Sequence, residues 1–424
     1  MPRKSSAHRF ARALSVLLLA STLGCSQDSN QVADNSPPHA PIVRVLVQQS
    51  VATVSLGGAF STLDFDTTSS AASASSSSVG VKNFQKDSKT THELALRDGV
   101  WRLNGVPIGK GRITIPEPHG NAIAVNGTNF RGQFKIVPVS TDAFDVVNIL
   151  PLESYLKGVV PREVLKGWND ETCKAQAVVA RTYAIYELKT VNKTADYDLF
   201  SDQRDQVYGG MSAETAQCNA AVDATSGIVV ASGPQGQEKI FKAYFSSCCG
   251  GLGQSAADAF GDPPTEPLIE KSNGTLCSPS PHFTWAPVIV SKAELTTRFK
   301  KFIQTRDLPQ KSLQTIVRID VAARNSIGRP TKFQVTDSAN KRYIFTGEEL
   351  RWAVNTDAPE KAKLLSSLLD IDNGKDSIRF FNGHGLGHGV GLCQWCSESR
   401  ARIGMKYDQI VLQAYNNVKL IQAY

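Results

Sequence analysis

The sequence lacks the features of a nucleic-acid-binding protein, since it has no basic run with interleaved aromatic residues. Its formal charge is +7 over 424 residues, but four positive charges (Arg3, Lys4, Arg9 and Arg12) lie in residues 1–24, which contain no acidic residue. The remaining charge of +3 is too small to favour nucleic acid as a partner. An internal repeat and a second long apolar segment are also absent. The length fits one large or two medium domains.

The one long apolar segment lies at the N-terminus, where residues 13–20 follow the basic residues. This pattern predicts a secretory signal peptide over residues 1–24, too short to span a membrane as a mature helix. Gly24-Cys25 is typical of a bacterial lipoprotein cleavage site with Cys25 as the lipidated residue, although Thr22 stands where leucine is usual. The alternative is an ordinary signal peptide cleaved nearby, leaving Cys25 free or absent. Residues 25–41 are polar and predict a flexible tether.

Export places the cysteines in an oxidising compartment, where they can pair. If Cys25 is lipidated, seven cysteines remain, so at least one is unpaired or has another role. The sequence does not determine which of them pair.

The remaining chain predicts an α+β fold. Residues 42–144 contain short apolar runs broken by turn residues, which indicates a β-rich N-terminal part. Residues 145–424 mix strands with helices: a buried strand at 146–150, a short helix at 151–158, and a longer helix capped by Asn169 or Asp170 and running to about Lys189. Capping-box spacing at 291–294 and 346–349 predicts two more helices. They belong to a predicted α+β insertion at about 286–370.

A candidate site lies in residues 382–395, which hold five glycines among fourteen residues. Fixing a glycine costs backbone entropy, so such a segment indicates a close backbone approach or positive φ. His384 and His388 have the i, i+4 spacing of a zinc pair, but that geometry needs a helix. Gly385 and Gly387 argue against a helix there, and the sequence therefore predicts no zinc at these histidines.

Glu163 is a second candidate, because the apolar residues Val160, Val164 and Leu165 surround it in sequence. Desolvation by an apolar wall would raise the pKa of the carboxyl group and suit a general acid near neutral pH. The alternative is a surface glutamate at a helix start after Pro161.

Two stretches carry a resemblance to a known family. Residues 382–395 resemble the C-terminal signature of the stage II sporulation protein D family of peptidoglycan-degrading proteins, and residues 148–164 resemble the segment that carries its catalytic glutamate. The resemblance extends from about residue 42 to the C-terminus. It implies that Glu163 is the catalytic residue and that Glu153 is an acid with a structural role.

The resemblance also points to residues around a glycan. Arg181 could hold the Glu163 carboxylate or bind a sugar substituent through its planar guanidinium, with a structural ion pair as the alternative. Gln176 on the same helix is more typical of a core hydrogen-bonding residue than of a catalytic one. His388 is expected to line the cleft, or else to tie down the glycine-rich loop, and Gln394 is expected to contact a sugar.

The activity implied is lytic cleavage of glycan strands stripped of stem peptides, a lytic transglycosylase reaction. One acid/base carboxylate suffices, because the sugar's own 6-hydroxyl displaces the leaving group and forms a 1,6-anhydro product. The alternative is a non-catalytic peptidoglycan-binding protein that activates an N-acetylmuramoyl-L-alanine amidase. Either protein would be a cell-envelope lipoprotein, anchored to the membrane by lipid and facing the periplasm or the exterior.

Many family members carry Cys-Gly-Gly-His and Cys-x-x-Cys segments that together look like a zinc site. Here Leu252 replaces the histidine and Gly274 replaces one cysteine. Cys249 and Cys277 alone would leave two ligands missing, so the expectation is a disulfide between them and no cofactor, with zinc disfavoured.

The roles expected for three further cysteines are less specific. Cys393 and Cys396 have the spacing of a redox motif but lie in a glycine-rich loop, which favours a structural bond or free thiols over catalysis. Cys248 has no assigned role.

Overall fold

The computed structural model describes residues 40–58, 62–66, 76–80, 91–118, 122–190 and 194–424. The predicted signal peptide, almost all of the tether and the predicted lipidation site Cys25 lie outside these residues. Within the described ranges, no helix combines the length and apolarity needed to cross a bilayer. The predicted α+β class is confirmed, with a β-rich N-terminal part followed by mixed helices and strands.

The N-terminal part is built from short strands in which buried and exposed positions largely alternate, as expected where one face of each strand packs on a core. The strands are β1 (Ile42–Val51), β2 (Thr53–Gly58), β3 (Thr62–Asp66), β4 (Ser76–Gly80), β5 (His92–Arg97), β6 (Val100–Leu103), β7 (Val106–Gly109), β8 (Arg112–Ile115), β9 (Ile123–Val125), β10 (Thr128–Phe130), β11 (Gln133–Pro138) and β12 (Phe144–Pro151).

The next part of the chain adds long helices and very short strands. Its elements are α1 (Leu152–Glu163), α2 (Asp170–Thr190), β13 (Leu199–Phe200), α3 (Ala216–Ala224), β14 (Ile228–Ser232), β15 (Lys239–Ile240), β16 (Phe245–Ser246) and α4 (Ala256–Phe260). The helix α2 begins as predicted, because the Asn169 side chain accepts a hydrogen bond from the backbone N–H of Glu171 at 2.9 Å. The helix α1 extends five residues beyond its predicted end and includes Pro161.

The C-terminal half contains the predicted insertion and the glycine-rich segment. Its elements are β17 (Thr284–Trp285), β18 (Val288–Ser291), α5 (Lys292–Thr305), β19 (Ile316–Arg324), β20 (Pro330–Asp337), β21 (Arg342–Thr346), α6 (Gly347–Asn355), β22 (Leu368–Asn373), β23 (Ser377–His384), β24 (Leu392–Cys393), α7 (Gln394–Arg402), α8 (Tyr407–Ala414) and β25 (Val418–Gln422).

Two sheets organise the N-terminal part. One has the order β13-β1-β12-β11-β8-β3-β4 and the other has the order β10-β9-β2-β5-β6-β7. Their inward faces share a core with α1 and α2, in which Trp101 packs edge-to-face on Phe144 with ring centroids 4.9 Å apart. Strand β12 leads directly into α1, so the sheet fixes the direction of the helix that ends at Glu163.

The insertion has a hydrophobic core of its own, which extends from Val288 to Phe380 and so runs about ten residues past its predicted end. Both predicted helix starts are found there. Thr346 forms a full capping box with Glu349, whereas Ser291 caps its helix without the reciprocal bond.

The helix α2 is buried between the N-terminal core and a third core formed with α8, β14 and the segment around Val390. Strand β14 pairs antiparallel with β25 along its full length, a pairing that the sequence did not predict. The chain therefore returns at its C-terminal end to the helices that carry the candidate site.

Candidate functional site

Glu163 occupies the last position of α1, not a helix start after Pro161 as the alternative supposed. Its carboxylate accepts two hydrogen bonds: one from the backbone N–H of Val207 at 3.1 Å, and one from the side-chain amide of Gln394 at 3.4 Å. Glu163 remains partly exposed. Burial raises the pKa of the Glu163 carboxyl group, and this effect outweighs the two hydrogen bonds and the nearby charge of Arg162, which act in the opposite direction.

Gln394 connects Glu163 to the core. Its amide nitrogen also lies 3.3 Å from the side-chain oxygen of Gln176, so the two glutamines and Glu163 form a short chain of polar groups. Both glutamines are buried, and the Gln176 amide nitrogen has no hydrogen-bond partner among the described residues. Gln176 therefore orients Gln394 from behind, which agrees with a hydrogen-bonding role in the core.

The N-terminal turn of α7 holds Gln394 in place. Trp395 packs edge-to-face against Trp168 with ring centroids 5.1 Å apart. One helical turn later, the Glu398 carboxylate accepts hydrogen bonds from Asn169 N–H at 3.0 Å and from the Thr172 hydroxyl at 2.8 Å, at the start of α2. A carboxylate is favourable at a helix N-terminus, so this contact fastens α7 to α2.

A groove of about 360 Å³ is lined by Arg162, the neighbour of Glu163 in the chain, and by Val207, whose backbone N–H donates to the Glu163 carboxylate, but not by Glu163 itself. Its other lining residues include Gln48, Thr128, Phe130, Ser201, Tyr208 and Ser212. Arg162 is exposed and forms no salt bridge within the described part of the chain, although its charge acts on the Glu163 carboxyl group. The groove thus presents hydroxyl groups and the exposed positive charge of Arg162 near a carboxyl group with a raised pKa, and the largely buried rings of Phe130 and Tyr208 form part of its wall.

Arg181 does not reach Glu163, and the prediction that it binds substrate is wrong. Its guanidinium is fully buried and makes a bidentate ion pair with Glu153, at 2.8 and 2.7 Å. Glu153 also accepts hydrogen bonds from the Tyr424 hydroxyl and from Gly227 N–H. The structural alternative therefore applies, and the pKa of Glu153 is lowered because the contacts with Arg181, Tyr424 and Gly227 outweigh its desolvation.

His388 secures the glycine-rich loop, which is the structural alternative for this residue. Its ring packs edge-to-face against Phe260 and Tyr244, with centroids 5.2 and 5.8 Å away. Its Nδ1 accepts a hydrogen bond from Val390 N–H at 3.0 Å. Burial lowers the pKa of His388 to about 4, so the ring is neutral at neutral pH. His388 is partly exposed, and its expected contact with substrate stays a prediction.

The glycines of this loop are required by the close packing of its backbone. Gly385 has a φ of +83°, and a Cβ atom there would lie 2.5 Å from the carbonyl oxygen of Cys248. Gly389 has a φ of +72°, and its Cβ would lie 2.7 Å from the guanidinium of Arg329. Positive φ and close approach, the two conditions inferred from the sequence, both occur here.

Arg329 is a residue that the sequence did not single out. It belongs to the insertion, is fully buried, and donates to the carbonyl oxygens of Leu252 at 2.6 Å, Cys249 at 3.3 Å and His388 at 3.3 Å. Burial lowers the pKa of Arg329 to about 10, so it stays charged at neutral pH. It lies between β19 and β20, where the sequence gives no pattern that marks a buried cation.

The predicted disulfide between Cys249 and Cys277 is not formed in this structure. Their sulfur atoms lie 3.7 Å apart, well beyond the bonding distance of about 2.05 Å. The side chains of Cys393 and Cys396 lie beside Cys249 and Cys277, and all four sulfur atoms are within 4.8 Å of one another. The spacing of Cys393 and Cys396 is evident from the sequence, but nothing in the sequence indicates that these two cysteines lie beside Cys249 and Cys277.

The fold and the site together define an α+β protein in which a glutamate at a helix end is held by a C-terminal glycine-rich loop. A profile of the stage II sporulation protein family matches residues 140–231, which include Glu163 and Gln176. A profile of a domain of unknown function matches residues 263–391.

Three relatives extend this similarity. The chain is 30% identical over 325 residues to an uncharacterized protein of Brachyspira hyodysenteriae, covering 76% of this chain and 79% of that protein. It is 25% identical over 294 residues to stage II sporulation protein D of Bacillus subtilis, with coverage of 68% and 79%. It is 24% identical over 390 residues to the amidase enhancer of Bacillus subtilis, in an alignment that covers 82% of this chain but about half (53%) of that protein. The chain belongs to the family of stage II sporulation protein D and the amidase enhancer.

Proposed function

We propose that this protein works in the cell envelope as a peptidoglycan lytic transglycosylase that cleaves glycan strands lacking stem peptides. The observation that supports this most directly is the environment of Glu163, a partly exposed carboxyl group with a raised pKa beside a polar groove. A carboxyl group of this kind keeps a proton closer to neutral pH than an ordinary glutamate does, as a general acid must.

The reaction needs only this one carboxyl group. Glu163 donates its proton to the glycosidic oxygen as the bond from that oxygen to the anomeric carbon breaks. The 6-hydroxyl of the same sugar attacks the anomeric carbon, and its proton passes to the Glu163 carboxylate. The product is a 1,6-anhydro ring, no water is consumed, and the glutamate ends protonated as it began. Intramolecular attack gains from proximity, so a second carboxylate and a bound water are unnecessary.

The residues around Glu163 have supporting roles in this proposal. The amide of Gln394 stabilises the carboxylate form that exists between the two proton transfers, because it donates to Oε2. Val207 N–H holds the other oxygen and keeps the carboxyl group directed. The hydroxyl groups and aromatic rings of the groove suit a sugar chain, which has both polar edges and apolar faces.

Arg162 gives a physical reason for a preference for strands without stem peptides. Removal of the peptide leaves a free carboxylate on the lactyl group of muramic acid, and Arg162 is an exposed cation in the groove. A strand that carries peptides has an amide at that position, which cannot make the same charge-assisted hydrogen bond.

A second candidate function is activation of an N-acetylmuramoyl-L-alanine amidase by a protein that binds glycan without cutting it. The similarity to a protein named amidase enhancer favours it. Attachment to the membrane through lipid at Cys25 fits both functions and would hold the protein at the envelope surface.

The deciding experiment is mass spectrometry of denuded glycan strands incubated with the purified protein. The proposal expects new ends that carry 1,6-anhydro rings, and expects them to be absent with the Glu163→Gln variant. Reducing ends would indicate hydrolysis and contradict the mechanism. Uncut strands, together with faster peptide release when an amidase is added, would establish the second candidate in its place.

A further inference from the structure

Four buried cysteines form a compact group beside the glycine-rich loop. Cys249, Cys277, Cys393 and Cys396 are at most 4% exposed and all are free thiols. They come from three separate parts of the chain, and the parallel pairing of β16 with β24 brings two of these parts together. Random burial does not usually collect four sulfur atoms within 4.8 Å of one another.

The spacing of the sulfurs fits a tetrahedral metal ion better than disulfides. With a zinc–sulfur bond of about 2.3 Å, the edge of a ZnS4 tetrahedron is about 3.8 Å. The sulfur of Cys249 lies 3.7 Å from that of Cys277 and 3.9 Å from that of Cys396. Cys249 is thus almost equidistant from two partners, whereas a disulfide would draw one of them to about 2.05 Å.

Backbone and side-chain donors support negative charge on two of these sulfurs, those of Cys393 and Cys249. The Cys393 sulfur accepts from Cys249 N–H at 3.3 Å and from Cys396 N–H at 3.4 Å, and thereby caps the nine-residue helix α7. The Asn273 amide lies 3.6 Å from the Cys249 sulfur. A helix N-terminus and N–H donors stabilise thiolates, the form in which cysteine binds a metal.

We propose that Cys249, Cys277, Cys393 and Cys396 bind one Zn²⁺ in a closed tetrathiolate site that fixes Gln394 beside Glu163. Cys393 and Cys396 supply the two ligands that Leu252 and Gly274 cannot. Four thiolates in tetrahedral arrangement favour zinc among the common metals, and a site without an open position is structural.

The placement of the ligands explains the effect on Gln394. Gln394 lies between Cys393 and Cys396 in the chain, so two metal bonds flank it. Its amide reaches Glu163 only while the start of α7 stays in place. The metal site does not depend on glycan cleavage, whereas its effect on activity through Gln394 rests on the proposed function.

Cys248 provides a matched control. It is buried next to Cys249, but its sulfur lies 3.9 Å from the backbone oxygen of Cys277 and outside the group of four. The test is the zinc content of the full chain, purified without chelators or thiol reagents and measured by inductively coupled plasma mass spectrometry. We expect about one zinc per chain in the wild type, in Cys248→Ser and in Glu163→Gln, and almost none in Cys393→Ser or Cys396→Ser.

A second measurement keeps the proposal testable if the cysteine variants fail to fold. Wild-type protein produced with Co²⁺ should show sulfur-to-cobalt charge-transfer bands and the intense d–d bands of tetrahedral cobalt. The proposal would be overturned if the wild-type protein contained no metal and mass spectrometry after alkylation found these cysteines in disulfides. Iron in place of zinc, or equal metal loss in Cys248→Ser, would overturn it as well. A zinc-loaded protein that leaves glycan uncut would refute the proposed function alone.

Discussion

Replacing Glu163 by glutamine should abolish glycan cleavage without weakening the fold. General acid/base catalysis typically contributes about 10²- to 10⁴-fold, which corresponds to about 3–5 kcal/mol in the activation free energy. A glutamine keeps the size of the side chain and can still accept the hydrogen bond from Val207 N–H. It has no proton to donate at neutral pH, so the rate of formation of 1,6-anhydro ends should fall by at least 100-fold, on the order set by general acid catalysis.

The same substitution should have a defined effect on stability. Because burial raises the pKa of the Glu163 carboxyl group in the folded protein, the stability that this group contributes is fully present below the ordinary glutamate pKa and is lost as the pH rises through the raised value. A glutamine side chain does not titrate, so Glu163→Gln removes this loss of stability at higher pH. Chemical denaturation should therefore show the variant gaining stability relative to the wild type as the pH increases from about 4 to 8.

Glu153 is a matched control, because it lies on the same helix with the opposite electrostatics. The pKa of its carboxyl group is lowered by the Arg181 ion pair, so its contribution to stability is present above the ordinary glutamate pKa and is lost as the pH falls. Glu153→Gln breaks a buried pair and should cost about 3–5 kcal/mol of unfolding free energy at pH 7. The assignment of Glu163 fails if folded Glu163→Gln still produces anhydro ends, or if it is destabilised at pH 7 as strongly as Glu153→Gln.

Two other substitutions test the groove and the loop. Arg162→Gln should lower kcat/KM for denuded strands by about 10- to 100-fold, because a hydrogen bond between charged groups is worth about 1.5–3 kcal/mol. The kcat/KM for peptide-bearing strands should not change. Equal losses on both substrates would contradict a contact with the lactyl carboxylate. Burial lowers the pKa of His388 to about 4, so the ring lowers the stability of the wild type as the pH falls from about 6.5 towards about 4. His388→Gln should remove this loss of stability. The pH–activity profile of the variant should match that of the wild type. A profile that shifts with His388→Gln would place the ring in the active site.

Local signals in the sequence predicted the local structure well. Thr346 and Glu349 form the capping box that their spacing indicates, and Asn169 caps α2. These features depend on residues three or fewer positions apart, so the sequence contains all the information they need. The apolar neighbours of Glu163 likewise predicted a desolvated carboxyl group, and burial does raise its pKa.

Partners distant in sequence could not be predicted in this way. Arg181 could have paired with either glutamate of α1, and only the packing of α1 on α2 decides for Glu153. Gln394 reaches Glu163 across 231 positions of sequence, and Cys249 meets Cys396 across 147. These contacts depend on tertiary packing, for which a single sequence has no periodicity to read.

The buried guanidinium of Arg329 limits how freely the insertion can be exchanged during evolution. The insertion has its own hydrophobic core and would otherwise resemble a module that could be replaced by an unrelated one. Arg329 nevertheless donates to three carbonyl oxygens of the loops around Cys249 and His388. A transplanted module without a cation at this point would remove the donor to the Cys249 and Leu252 oxygens, which is unfavourable, whereas the His388 oxygen would keep its hydrogen bond from the Gln254 side chain. Chimeras that swap the insertion should therefore fold well only when the donor module supplies an arginine there.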